Sequence, residues 1–195
     1  MEAHGFSFES ADDAHFSITV VLVEEEHKRE VEERHRRIYQ RHLPGGISFP
    51  QDGHGIVQCR AFLEELKELD FSFHSFVIDK RKLHQKSPLQ YRDTFYKFLS
   101  GLIYNNLYHT VPDLELVASP LGTAEFMESF RRYILDNHRV DLFSPAPFTF
   151  STAGKEPLLQ LAAFLGEGLN RFHAELSDVD VEQELNAKCV GVALA

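Results

Sequence analysis

Hydrophobic and polar positions alternate with period two near the start of the chain and then switch to a helical period. Residues 4–10 alternate and residues 15–24 form a β-branched run, with the turn-like Ala11–Ala14 between them, so the pattern predicts a β-hairpin. From Glu25 to His42 the spacing becomes helical and heavily charged, with few apolar positions beyond Val31, Ile38 and Tyr39. A helix of that kind belongs at an edge or against a partner. Residues 43–55 are rich in Gly and Pro and read as a loop that either carries a site or simply connects. A helix over 56–69 and a strand over 70–79 follow. Ser87 and Pro88 then open a helix that keeps an apolar stripe to His109. A strand at 113–119, a helix at 123–137, a strand near 143–150 and a helix from 155 complete the series.

A hairpin followed by alternating helices and strands predicts an α/β fold, one mixed sheet flanked by helices. Residues 1–176 read as one domain, and 177–195, acidic and then apolar, as a C-terminal tail of unassigned structure. Composition supports a packed core: 43% of the 195 residues are hydrophobic, with 17 Phe and no Trp. The formal charge of -10 repels phosphate backbones and disfavours a nucleic-acid partner. Cys59 and Cys189 form neither a metal spacing nor a disulfide framework, which fits a reducing, cytoplasmic setting. No run approaches eighteen apolar residues and the first residues do not read as a secretion signal, so no membrane partner is expected.

Chemistry-bearing residues are sparse. The last helix, Lys155 to Phe172, shows Leu158, Leu161, Leu165, Leu169 and Phe172 on one stripe. Gln160, Ala163, Glu167 and Asn170 recur on another face, where Ala163 is a small apolar residue in a polar row. Eleven histidines contain no zinc signature; His35 and His42 read as solvated, and His4 and His15 as surface residues of the hairpin. No nucleophile elbow, phosphate loop or dinucleotide fingerprint is present. Lys28, Arg29, Arg34, Arg36, Arg37 and Arg41 alternate with glutamates, a pattern of intrahelical pairs rather than a phosphate track. Lys80, Arg81, Lys82 and Lys86 are less neutralised, and are the best candidates for contact with nucleic acid.

Several segments, in order, carry a family resemblance: FSFES-ADD at 6–13, FVIDK at 76–80, FYKFLSGLIY at 95–104, GTAEFMESFRRYI at 122–134 and LLQLAAFLGEG at 158–168. Together they resemble the family called domain of unknown function 3800, over roughly residues 5–173. The resemblance implies a ribonuclease H-like fold and, by analogy, metal-dependent nuclease activity. In that family the first strand ends in Asp-Glu-Ser-Gly and the last helix reads Gln-Leu-Ala-Asp. This chain has Phe8, Glu9, Ser10, Ala11 and Gln160, Leu161, Ala162, Ala163. Where a third acid often stands, it has Ser119 and Pro120; only Asp79 clearly survives.

Such catalysis uses two Mg²⁺ ions about 4 Å apart, held by clustered carboxylates. Phe8, Ser119 and Ala163 provide no anionic oxygen, so Phe8, Ser119, Gln160 and Ala163 read as vestigial site positions and no metal or cofactor is expected. The resemblance therefore points to a catalytically degenerate domain that binds a protein partner or a second copy. The alternative is a Mg²⁺- or Mn²⁺-dependent nuclease, either with relocated acids, drawn from Asp79, Glu167, Glu9 and Asp12, or with Ala163 as an engineered knockout. Glu9 would need a bulge to reach the face of Phe8.

Overall fold

A computed structural model of the chain describes residues 1–9, 15–44, 53–82, 88–111, 114–137, 148–176 and 189–194. Strands β1 (Glu2–Glu9) and β2 (His15–Val23) form the expected hairpin, followed by helices α1 (Glu25–His42) and α2 (Gly53–Leu66). Strand β3 (Ser72–Asp79) runs into a 3₁₀ turn at Lys80–Lys82. Then come α3 (Arg92–Thr110), β4 (Glu115–Ala118), α4 (Ala124–Asn137), β5 (Phe148–Phe150), α5 (Pro157–Leu176) and β6 (Cys189–Leu194). The strands form one mixed sheet in the order β5-β4-β1-β2-β3-β6. The chain is thus an α/β protein. β1, β2 and β3 are antiparallel neighbours, whereas β4 joins β1, β5 joins β4 and β6 joins β3 in parallel. Residues 189–194, part of the segment assigned to the tail, therefore extend the sheet beyond β3.

Both faces of β2 are covered, which explains why its residues read as a nearly continuous apolar run. Phe16, Ile18, Val20 and Leu22 belong to a cluster with α3, α4, β4 and β5. Val21 and Val23 belong to a second cluster with α1, α2 and α5. The first core is aromatic: Tyr104, Phe130 and Phe148 lie with ring centroids 5.9 to 6.3 Å apart. Gly5 of β1 is required here, because a Cβ would stand 2.7 Å from the Tyr104 hydroxyl.

Helix ends follow from local chemistry. Pro157 opens α5, where its fixed φ suits the first turn and its missing N–H costs nothing. The Thr123 hydroxyl caps α4 by accepting the Phe126 N–H at 3.2 Å, next to Gly122 at φ 67°. Glu25 and Glu26 open α1, and Arg41 and His42 close it, matching the helix dipole. Along α1 the expected i,i+4 pairs form: Arg34 with Glu30, Arg36 with Glu32, and both Arg29 and Arg37 with Glu33. Exposed pairs like these contribute little each, but they leave that face without a free cationic track.

Ala163, in the polar row of α5, is 1% exposed, since the helix has the sheet on one side and α1 and α2 beside it. Three sequence expectations are corrected. His35 is not solvated, because α1 packs through Val31, His35 and Ile38 onto its own chain rather than along an open edge. His42 is part-buried too, hydrogen-bonded to Glu65 at 2.8 Å. His4 is buried rather than on the surface, and stands opposite Val21 in the hairpin.

Candidate functional site at one end of the sheet

Strand direction decides which candidate residues share a neighbourhood. β1 and β4 run in parallel, and β3 runs the same way across β2, so the ends of β1, β3 and β4 lie at one end of the sheet. Phe8 stands opposite Ser17, Glu9 opposite Phe16, and Asp79 opposite His15. Ser119 follows β4 directly and donates its N–H to the Gly5 carbonyl at 2.8 Å. β5 ends at the same place, since the Ser151 N–H reaches the Ala118 carbonyl at 3.0 Å. The short link from Ser151 to Glu156 starts α5 there. The backbone therefore gathers the positions of Phe8, Asp79, Ser119, Gln160 and Ala163 at one end of the sheet.

α5 approaches the sheet closely. A Cβ on Gly166 would lie 2.9 Å from the Thr19 hydroxyl oxygen, so a glycine is needed where helix meets strand. Ala163 lies one turn earlier, toward the start of β2 where Ser17 stands. On this face of β2 and β3 the described polar side chains are the buried hydroxyls of Ser17, Thr19 and Ser75, with Thr19 Oγ1 and Ser75 Oγ 3.0 Å apart. Ser119 is likewise buried. Hydroxyls and a methyl group thus occupy the described positions nearest the vacancies. Neutral hydroxyls are weak ligands for Mg²⁺, so those of Ser17, Thr19, Ser75 and Ser119 do not by themselves make a site for a metal pair. Among the described residues, no group of three or more His, Cys, Asp or Glu side chains is placed to hold a metal ion.

The remaining candidates divide. Gln160 is half-buried and hydrogen-bonds the Tyr39 hydroxyl of α1, so its side chain serves helix packing. Glu167 is half-buried one turn beyond Ala163 and has interactions of its own. β1 pairs with β2 through Glu9 without a register shift, so the bulge that would bring Glu9 to the face of Phe8 is not there. Lys80 is half-buried and Arg81 exposed on the turn after Asp79, and Lys82 completes that turn. Asp12 and Lys86 lie outside the described residues.

One polar group in the core was not anticipated. Glu2 is buried on β1 and accepts hydrogen bonds from His4 Nε2 at 3.0 Å and from Lys28 Nζ on α1. The His4 bond, with help from the Lys28 cation and against the cost of burial, holds the Glu2 carboxyl down at about 2. Period-two spacing already places Glu2 and His4 on one face, which is the signal that would have found the pair. His35 differs, because neither ring nitrogen has a hydrogen-bond partner. Burial, aided by the Arg36 charge, pushes its imidazole down to about 4. Burial alone pushes the free Cys59 thiol up to about 12, far from a reactive thiolate. Among the described residues, no helix is long and apolar enough to cross a membrane. Comparison with protein-family models and with curated proteins yields no match to either.

Proposed function

We propose that this chain is a ribonuclease H-like domain that has lost its metal chemistry and acts as a binding or scaffold subunit in a reducing, cytoplasmic setting. Two observations support the reading. The mixed sheet, an antiparallel hairpin followed by alternating helices and strands, is compatible with the ribonuclease H-like fold that the resemblance to domain of unknown function 3800 implies. The observation that carries the loss of chemistry is Ala163: the position that would hold an acid is a buried methyl group, one turn from the close approach of Gly166 to Thr19. Phe8 and Ser119, the other vacancies, lie at the same end of the sheet. A protein partner, rather than nucleic acid, suits a chain of charge -10.

The test is hydrolysis. Purified protein incubated with RNA or DNA and Mg²⁺ or Mn²⁺ is expected to leave the substrate intact; cleavage that Asp79→Ala abolishes would overturn the reading. Ala163→Asp separates a single lost ligand from a wider loss. Once circular dichroism shows that this variant folds, Mn²⁺ titration should remain silent, whereas saturable heat would identify Ala163 as a one-residue knockout.

A further inference from the structure

Building on the reading of this chain as a binding subunit, we infer that the groove between α3 and α4 receives a cationic amphipathic helix of a protein partner. Two adjoining hollows of about 680 and 610 Å³ share Lys97, Glu125, Ser129 and Tyr133, and so form one groove. Its α4 wall is the stripe Glu125, Ser129, Arg132 and Asp136, which follows helical spacing over three turns, about 16 Å. Phe98, Phe126 and Tyr133 supply its apolar surface. Phe98 is 50% exposed, and Phe126 and Tyr133 are half-buried, so each ring keeps part of its surface outside the core. Tyr133 lies against Gly101, where an added Cβ would stand 2.8 Å from its ring, so the missing side chain leaves room for it between the helices.

Charge selects the occupant. Of the six ionised side chains that line the groove, Asp93, Glu125, Glu128 and Asp136 are acidic, against Lys97 and Arg132. Arg132 is paired with Glu128 at 3.5 Å, and the Lys97 ammonium donates to Ser129 Oγ at 3.2 Å and lies 5.2 Å from the centre of the Tyr133 ring. Asp93, Glu125 and Asp136 have no ion-paired partner among the described residues. The groove therefore offers rings between carboxylates that lack cations. A nucleic acid has the wrong sign, and a second copy would bring the same acids. A small polyamine would leave the rings uncovered. A helix with an apolar stripe flanked by Lys or Arg satisfies both surfaces, since it lays the stripe on Phe98, Phe126 and Tyr133 and its cations on the rims. The formal charge of -10 also draws such a partner in.

The probe is a dye-labelled peptide of three helical turns, with Leu along one stripe and Lys on either side. Fluorescence anisotropy in about 0.15 M salt should show saturable binding with a Kd on the order of 10 μM. Replacing Leu by Ser in the peptide, or Lys by Glu, should weaken binding by at least about tenfold. Glu125→Lys with Asp136→Lys should do the same, and Phe98→Ser should weaken it by at least about fivefold. Glu64→Lys with Glu68→Lys, an equal change of charge at exposed positions near the end of α2, should leave binding within about twofold. Circular dichroism checks that each variant folds. No saturable binding, equal binding of the Ser peptide, indifference to Phe98→Ser, or an equal loss from the α2 control would each overturn the proposal, the last by revealing diffuse attraction to an acidic chain. Such a failure leaves the loss of metal chemistry untouched. Metal-dependent cleavage of RNA or DNA would sink that reading and leave binding at the groove in place.

Discussion

The two faces of the sheet are built from different chemistry. The face under α3 and α4 is packed with rings: Phe16 of β2 meets Phe95 and Tyr96, and Tyr104, Phe130 and Phe148 pack on one another. The face under α1, α2 and α5 buries Glu2, hydrogen-bonded to His4 and Lys28, the hydroxyls of Ser17, Thr19 and Ser75, and the unpartnered ring of His35. Apolar packing is insensitive to pH, whereas buried ionisable groups link stability to it. One face should therefore behave as plain core, and the other should report on protons.

The largest expected effect sharpens this contrast. Phe130→Ala, on the aromatic face, should cost about 4 kcal/mol through lost burial and an unfilled cavity. Urea denaturation should give nearly the same loss at pH 7 and pH 5. If that loss varied strongly with pH, the division between the faces would not hold.

Glu2→Leu should cost about 3 kcal/mol at neutral pH, because it leaves His4 and Lys28 without their shared carboxylate. The sign follows from the lowered carboxyl value. The contribution is present above the ordinary carboxylate range near 4.5 and is lost as pH falls toward about 2. Denaturation at pH 7 and pH 3 should thus show the variant converging on the natural chain in acid.

His35 acts in a higher window. Its folded value near 4 lies below the ordinary 6.5, so the unfolded chain takes the proton first. Stability is intact above 6.5 and falls as pH drops toward 4, by up to about 3 kcal/mol. His35→Leu removes the titrating group and two unpartnered nitrogens, and should flatten the curve there without loss at pH 7. An unchanged pH profile would show that His35 is not the group responsible.

The smallest effect concerns the contact that holds α5 to the sheet. Gly166→Ala gains helix propensity but drives a methyl against Thr19, whose hydroxyl is tied to Ser75, so a net loss of about 1 kcal/mol is expected. Adding Thr19→Ala should recover most of it, as a double-mutant cycle would show. Additive losses would mean that the two residues do not press on each other.

Much of this architecture was legible in the chain. The β-branched run of β2, the Pro157 start of α5 and the Thr123 cap of α4 are local signals, and all three elements stand where they point. The burial of Ala163, His35 and His4 was not legible, because it depends on which elements stack. A helix face with Gln160 and Glu167 looks solvated until α1 and α2 are placed beside it. A histidine amid six glutamates looks wet until Tyr39 and Phe62 close around it. The candidate site was legible as a set of positions through Phe8, Asp79, Ser119 and Ala163; the hydroxyls of Ser17, Thr19 and Ser75 were not, since cross-strand pairing reveals them.

The proposed reading holds that this end of the sheet has lost the capacity to bind a pair of divalent metal ions. Calorimetric titration of Mn²⁺ into the unaltered chain at neutral pH tests it most directly. The account predicts no saturable heat; a saturable isotherm that disappears in Asp79→Ala would contradict it.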